Sequence, residues 1–177
     1  MEQTIHKLDG VIKQITTYSR NSRLTLQKDK INFEDLQKKL IEEFSYIEEL
    51  SSIDLDFRIN SPVEFYCDEH RTYTIIKNIL ANAILYRNWN QENNWVMISI
   101  EVNHQQAIIK ISDNGTGIPQ EEHGKIFNMF HRSSNISKGA GLGLYIVKET
   151  LQRLNGSISF ESVLGKGSTF KVSLPQL

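Results

Sequence analysis

Nine of the ten glycines in this 177-residue chain fall between Gly115 and Gly167. They cluster with single-residue gaps: Gly115 and Gly117; Gly139, Gly141 and Gly143; Gly165 and Gly167. Glycine loses more backbone freedom on folding than any other residue, so such clusters mark tight turns or a close approach of backbone to a ligand. Three clusters in one domain are three loops that converge on a ligand, or three unrelated turns; spacing alone leaves both open.

Composition narrows the class. Lys plus Arg is 20 and Asp plus Glu is 21, a net charge of −1, which argues against a whole-surface nucleic-acid binder. The single cysteine, Cys67, cannot form an internal disulfide or make a zinc site by itself, which fits a reducing compartment. There is no run of eighteen apolar residues to span a membrane. The start, Met1 to His6, lacks the apolar core of a signal peptide.

Periodicity divides the chain further. Ile5, Leu8, Ile12 and Ile15, with Val11 and Tyr18, predict a helix over about 2–26 that needs a partner to bury its stripe. Lys28-Asp29-Lys30 separates it from a second helix at about 34–44. The alternation of 54–59 predicts a strand, Asn60-Ser61-Pro62 a turn, and 63–67 the returning strand. A long helix follows over about 68–87, then strands at 96–102 and 107–112. Pro119 is placed to begin a short helix reaching Phe130. His131 to Lys138 is polar without an apolar period and reads as a mobile loop. Gly141 opens a helix to about Leu154, stopped by Asn155-Gly156, and strands at 157–162 and 168–174 close the chain.

Three groups of residues can carry chemistry. Asn78 and Asn82 are four apart and share a helix face, where their amide oxygens are hard ligands suited to Mg²⁺ or members of a structural hydrogen-bonding site. Asp113 ends an apolar strand just before Gly115 and Gly117; its carboxylate accepts the exocyclic amine of adenine or closes a turn. Gly139, Gly141 and Gly143 enter a helix, whose first amides bind phosphate readily. The spacing is neither the dinucleotide fingerprint nor a Walker loop. Gly165 and Gly167 suit a hairpin turn.

The order of these segments is more specific than any one of them. Asn-x-x-x-Asn at 78–82 precedes Asp-x-Gly-x-Gly at 113–117. Then come the paired phenylalanines of Ile126-Phe127-Asn128-Met129-Phe130, Gly-x-Gly-x-Gly at 139–143, and Gly-x-Gly-Ser-Thr-Phe at 165–170. The chain resembles the sensor histidine kinase catalytic domain over residues 28–177, and residues 1–27 resemble the second helix of that family's dimerisation and phosphotransfer hairpin. The resemblance implies an α/β fold, a Bergerat-type two-layer sandwich with helices on one face of a mixed sheet, preceded by one helix.

It also implies ATP and Mg²⁺ as ligands and a site made of particular residues. Asn82 matches the magnesium ligand, and Asn78 a neighbour that orders water and phosphate. Asp113, Gly115 and Gly117 match the adenine-reading segment, and Thr169 the threonine that supports its water network. Gly141 and Gly143 match the phosphate-facing glycines, and Arg132 a basic residue that reaches the phosphates, so that Asn78 and Arg132 serve catalysis. Tyr86, Ile118, Lys138, Gly139, Leu142 and Leu144 complete the implied nucleotide site. The implied reaction moves the γ-phosphate to a histidine and onward to an aspartate of a response-regulator receiver domain. Hydrolysing relatives carry glutamate where this chain has Asn78, which cannot take a proton, so slow hydrolysis is expected.

Two departures from the family pattern matter. The residues after the five histidines are Lys7, Arg71, Gln105, Gly124 and Arg132, none of them acidic as the family's acceptor requires. The acceptor is therefore expected upstream of Met1, on the parent protein's own dimerisation and acceptor domain, the full-length protein being a homodimer. The expected setting is cytoplasmic, without nucleic-acid or membrane contact by this portion, whether or not the parent is membrane-anchored. Second, Leu85 stands where many members carry a phosphate-binding lysine. It lies within about 20° of Asn78 around the helix axis, whereas Arg87 lies about 180° away. Phosphate contacts are thus expected to rest on the 131–138 loop. A non-catalytic docking module and an anti-sigma-type serine kinase are alternatives; the intact glycine boxes speak against the first and the 1–27 helix against the second.

Overall fold

The computed structural model describes residues 25–47, 50, 52–132 and 140–177. Positions 2–24 of the helix expected over 2–26 and the loop positions 133–139 lie outside them; residues 25 and 26 are described and are not helical.

The sheet is built from alternating sequence. Strands β2 (Ile53–Asn60), β4 (Asn94–Val102), β5 (Gln106–Asp113), β6 (Ser157–Val163) and β7 (Gly167–Pro175) form one five-stranded sheet in the order β2-β4-β5-β7-β6. The β2–β4 pair is parallel and the rest are antiparallel. Period-two alternation puts Val96, Ile98 and Ile100 of β4, Ala107, Ile109 and Ile111 of β5, and Phe170, Val172 and Leu174 of β7 on one buried face. Trp95, Glu101, Lys110 and Lys171 stand on the open face. One apolar face needs one covering layer, and the helices supply it.

Helix α1 (Phe33–Phe44) starts at Asn32, whose side chain accepts the Asp35 N–H, and buries Phe33, Leu36, Leu40 and Phe44. Helix α2 (Glu69–Leu85) starts at Asp68, which accepts the Arg71 N–H at 2.9 Å and forms a buried ion pair with the Arg71 guanidinium. Helix α3 (Gly143–Arg153) packs along α2 and buries Ile146, Val147, Thr150 and Leu151. Asn155 takes a left-handed φ of 52°, and Gly156 N–H returns to the Leu151 carbonyl, so the expected helix stop is formed. The two-layer sandwich expected from the resemblance is therefore present.

Three local expectations are corrected. Residues 63–67 do not return beside β2: only β3 (Tyr66–Cys67) is extended, and it pairs with β1 (Asp29–Lys30), which was expected to be a mere separator. β2 instead pairs in parallel with β4 and stands at the end of the sheet. Pro119 leads into a three-residue 3₁₀ turn (Gln120–Glu122) and further turns, not a helix to Phe130; Phe130 itself has φ 63°, which no right-handed helix accommodates. Helix α2 stops at Leu85, two residues short of Arg87, because Tyr86 leaves helical geometry. Among the described residues no helix is long and apolar enough to cross a membrane.

Candidate active site

A cleft of about 190 Å³ opens between α2, the N-terminus of α3 and the ends of β5 and β7. Asn78, Asn82, Leu85, Tyr86, Asp113, Gly117, Ile118, Arg132, Gly141, Leu142, Gly143 and Leu144 line it. These segments are far apart in sequence, and the topology brings them together because β5 and β7 are neighbours and α2 lies against α3.

One end is organised around Asp113. Its Oδ1 accepts the N–H of Gly115 at 2.8 Å and that of Ser168 at 3.3 Å. Burial, the largest influence, raises its carboxyl from an ordinary 3.8 to about 6, against the two backbone N–H groups that lower it. The loop after Asp113 is fastened to the end of α2: Thr116 N–H donates to the Tyr86 carbonyl at 2.9 Å. A Cβ on Gly115 would stand 2.5 Å from that same carbonyl oxygen. Gly117 has φ +67°, and a Cβ there would run into the Val163 carbonyl, so only glycine closes this turn.

The other end is organised around α2 and α3. The Asn78 amide nitrogen donates to the Thr74 carbonyl at 2.8 Å, which leaves its oxygen facing Gly143. A Cβ on Gly143 would lie 3.2 Å from Asn78 Oδ1 and 3.7 Å from Asn82 Oδ1, so the missing side chain keeps a hollow between the two amides and the start of α3. Asn78 thus uses half of its amide structurally and half toward the cleft. No hydrogen bond to a described residue occupies the Asn82 side chain. Gly141 has φ +71° and packs against the carbonyls of Phe130 and His131, which pins the two flanks of the 133–139 segment together. Arg132 lines the cleft on this flank. Beside it, His131 Nε2 lies 2.5 Å from Glu122 Oε2 without hydrogen-bond geometry.

The placements separate the expected site residues. Gly115 stands behind the lining, as a spacer between Asp113 and Tyr86. Lys138 and Gly139 lie outside the described residues. Thr169 is on the wrong face: its hydroxyl donates to Ser112 Oγ at 3.0 Å, away from the cleft, because it shares strand parity with Lys171 and Ser173. Ser168 lines the cleft in its place, directly opposite Asp113 in the β5–β7 register. The parity of Phe170, Val172 and Leu174 in the sequence carried that signal. Ile126, His131 and Phe170 also line the cleft and were not anticipated. Arg87 is buried, donates to the Ile84 carbonyl at 3.1 Å and stacks on Trp89 at 3.5 Å, off the cleft; the helix-face argument does not reach it, because α2 has already ended at Leu85.

Comparison with known proteins agrees with this geometry. The profile of the "Histidine kinase-, DNA gyrase B-, and HSP90-like ATPase" family matches residues 67–177. The chain is 32% identical, over 99% of its length, to the sensor histidine kinase RppB of Synechocystis sp., of which it covers 39%. It is 36% identical, over 61% of its length, to the sensor histidine kinase WalK of Bacillus subtilis, of which it covers 18%. The structure of the Acinetobacter baumannii histidine kinase AdeS superposes with a TM-score of 0.77 at 25% identity, over 97% of this chain and 80% of that one. A cleft with a half-buried carboxylate at one end and paired asparagines against a glycine-led helix at the other, within a matching fold and profile, places the chain in the histidine kinase-, DNA gyrase B- and HSP90-like ATPase family, as an ATP-binding catalytic domain of the sensor histidine kinase type.

Proposed function

We propose that this domain binds Mg-ATP and transfers its γ-phosphoryl group to a histidine outside these 177 residues, from which a receiver-domain aspartate takes it. The observation that carries the reading is the polarity of one cleft: a base-reading carboxylate at Asp113, and at the far end two amide oxygens facing the N-terminus of α3. The ionised Asp113 carboxylate accepts the adenine amine, Ser168 stands beside it, and Gly117 and Ile118 let the base lie against backbone. The phosphates then reach the first amides of α3, where the helix N-terminus favours anions. The residues fit a magnesium ion: the Asn82 amide oxygen would hold it, with Asn78 ordering its waters, and the ion would neutralise charge on the transferring group. Arg132 balances phosphate charge from the 131–132 flank.

In the transfer the bond between the γ-phosphorus and the β–γ bridging oxygen breaks, a bond from phosphorus to an imidazole nitrogen forms, and ADP departs. Among the described residues that line the cleft none is a carboxylate placed beside Asn78, so slow hydrolysis relative to transfer is expected. Residues 1–27 are proposed as the second helix of a dimerisation hairpin and 28–177 as the nucleotide domain. The proposed setting is a cytoplasmic, homodimeric parent kinase. The chain spans about two fifths of the RppB length, consistent with a parent that carries further domains.

The test is incubation with γ-labelled ATP. Alone, the chain should carry no acid-labile label; added to a dimerisation hairpin that bears the acceptor histidine, it should label that hairpin. Strong acid-labile labelling of this chain alone, or steady phosphate release in place of transfer, contradicts the proposal.

A further inference from the structure

Ser162 on β6 is not part of the cleft lining, yet it touches three groups that frame the base-reading end. Its Oγ accepts the Ile118 N–H at 2.8 Å, lies 2.9 Å from Ser168 Oγ, and donates to the Gly167 carbonyl at 3.1 Å. Ile118 follows the left-handed Gly117 and lines the cleft; Ser168 lines it too and gives its backbone N–H to Asp113. A hydroxyl has one proton and two lone pairs. Ile118 takes one lone pair. When the Ser162 proton goes to Gly167, the second lone pair accepts from Ser168; when it goes to Ser168, that residue's own proton turns to the cleft. The Ser162–Ser168 bond persists in both arrangements, so the Ser168 backbone is held toward Asp113 in both.

We propose that Ser162 is a positioning residue for nucleotide binding: by joining the Gly117–Ile118 loop to the β6–β7 hairpin, it holds Ser168 and Asp113 in the geometry that receives the adenine ring. The proposal rests on the nucleotide reading above. Its consequence is local. Loss of the hydroxyl frees the Ile118 N–H and loosens Ser168, and Asp113 then loses one of the two N–H donors that favour its charged form. Adenine binding should weaken, and Asp113 should take up its proton at higher pH.

The experiment is calorimetric titration of ADP from pH 5 to pH 8 on the whole chain, in the wild type and in Ser162→Ala and Ser162→Thr. Tyr86, His131 and Arg132 also face the cleft, and His131 faces Glu122. Every profile is therefore repeated in a His131→Gln background, which removes the imidazole's titration. Ser162→Ala should weaken ADP about tenfold at neutral pH, the effect of roughly one net hydrogen bond, and move the acid limb of the profile upward. Ser162→Thr, which keeps the hydroxyl, should restore both. Equal ADP affinity in Ser162→Ala, or a loss with an unmoved acid limb, overturns the proposal. If Ser162→Ala does not fold, amide exchange in the wild type decides. The Ile118 and Ser168 amides should gain protection together on ADP saturation, and unchanged exchange at either overturns it. No ADP binding by the wild type would instead sink the nucleotide reading itself.

Discussion

The Asp113 end of the cleft is tied by bonds between residues distant in sequence, whereas the Asn82 end is set by two helices and a glycine. At the first, Thr116 reaches Tyr86, Ile118 reaches Ser162, Gly165 reaches Thr116 and Ser168 reaches Asp113, so the base pocket and the sheet's stability share the same hydrogen bonds. At the second, Asn78 and Asn82 project from a helix whose own core contacts lie on its other side, and Gly143 contributes an absence of side chain. Damage to the base end should therefore appear in folding and binding together. Damage to the phosphate end should appear in binding and transfer alone.

The widest contrast is between two glycines. Gly117→Ala forces a left-handed alanine against the Val163 carbonyl and should cost about 2–4 kcal/mol of folding stability, together with most ADP binding. Gly143→Ala, with no backbone atom near its Cβ, should leave stability within about 1 kcal/mol, because alanine is the better helix former, and still weaken ATP by crowding the Asn78 oxygen. Chemical denaturation and calorimetry of the pair decide this; equal stability losses would erase the distinction between the ends.

Asp113→Asn comes next and separates binding from folding within the base end. An amide presents a donor as well as an acceptor and lacks the charge, so ADP affinity should fall by about 1–3 kcal/mol. Stability should move the other way. The carboxyl of the folded domain lies near 6 against an ordinary 3.8, so its contribution is fully present below 3.8 and is lost as pH rises through 6. At neutral pH the buried charge costs on the order of 3 kcal/mol before any ligand binds. The wild-type domain should thus lose stability from pH 4 to pH 6.5, as followed by thermal unfolding, and the asparagine variant should not. ADP affinity should show the opposite limb, falling about tenfold for each pH unit below 6.

The smaller effects probe the phosphate end. Arg132→Ala should weaken ATP about tenfold, as loss of a charge-assisted contact does, with little change in melting temperature. Arg87→Ala should spare affinity and cost about 1 kcal/mol of stability through its lost stacking on Trp89. Leu85→Lys should be neutral or tighten ATP by at most a few-fold, since position 85 faces the cleft. An Arg87→Ala variant that loses more affinity than Arg132→Ala would show that the placement of Arg87 off the cleft is wrong.

Much of this was legible before the fold was known, for reasons that differ by element. Strands β4, β5 and β7 announced themselves because alternation is a local pattern, and α2 because its apolar period is local too. The pairing of β3 with β1 was not legible, since two-residue strands carry no period and their partner is 38 positions distant (Cys67 to Asp29). The 3₁₀ turn after Pro119 was misread as a helix because proline suits both starts and the left-handed Phe130 leaves no sequence signal. In the site, Asn78, Asn82 and Asp113 stood out as polar groups in apolar surroundings. Ser168 was passed over for its neighbour Thr169, although strand parity already distinguished them. Ser162 could not be found at all, because its role depends on the β6–β7 register.

One cleft is proposed to hold a nucleotide with adenine at Asp113 and a magnesium-bound phosphate tail at Asn82. The most direct test of this placement is ADP titration in Mg²⁺ and in excess chelator, for the wild type and Asn82→Ala. Mg²⁺ should tighten ADP in the wild type, Asn82→Ala should abolish this gain, and the two proteins should bind ADP equally in chelator. An equal loss with and without Mg²⁺ would make Asn82 a structural amide and contradict the placement of the phosphates.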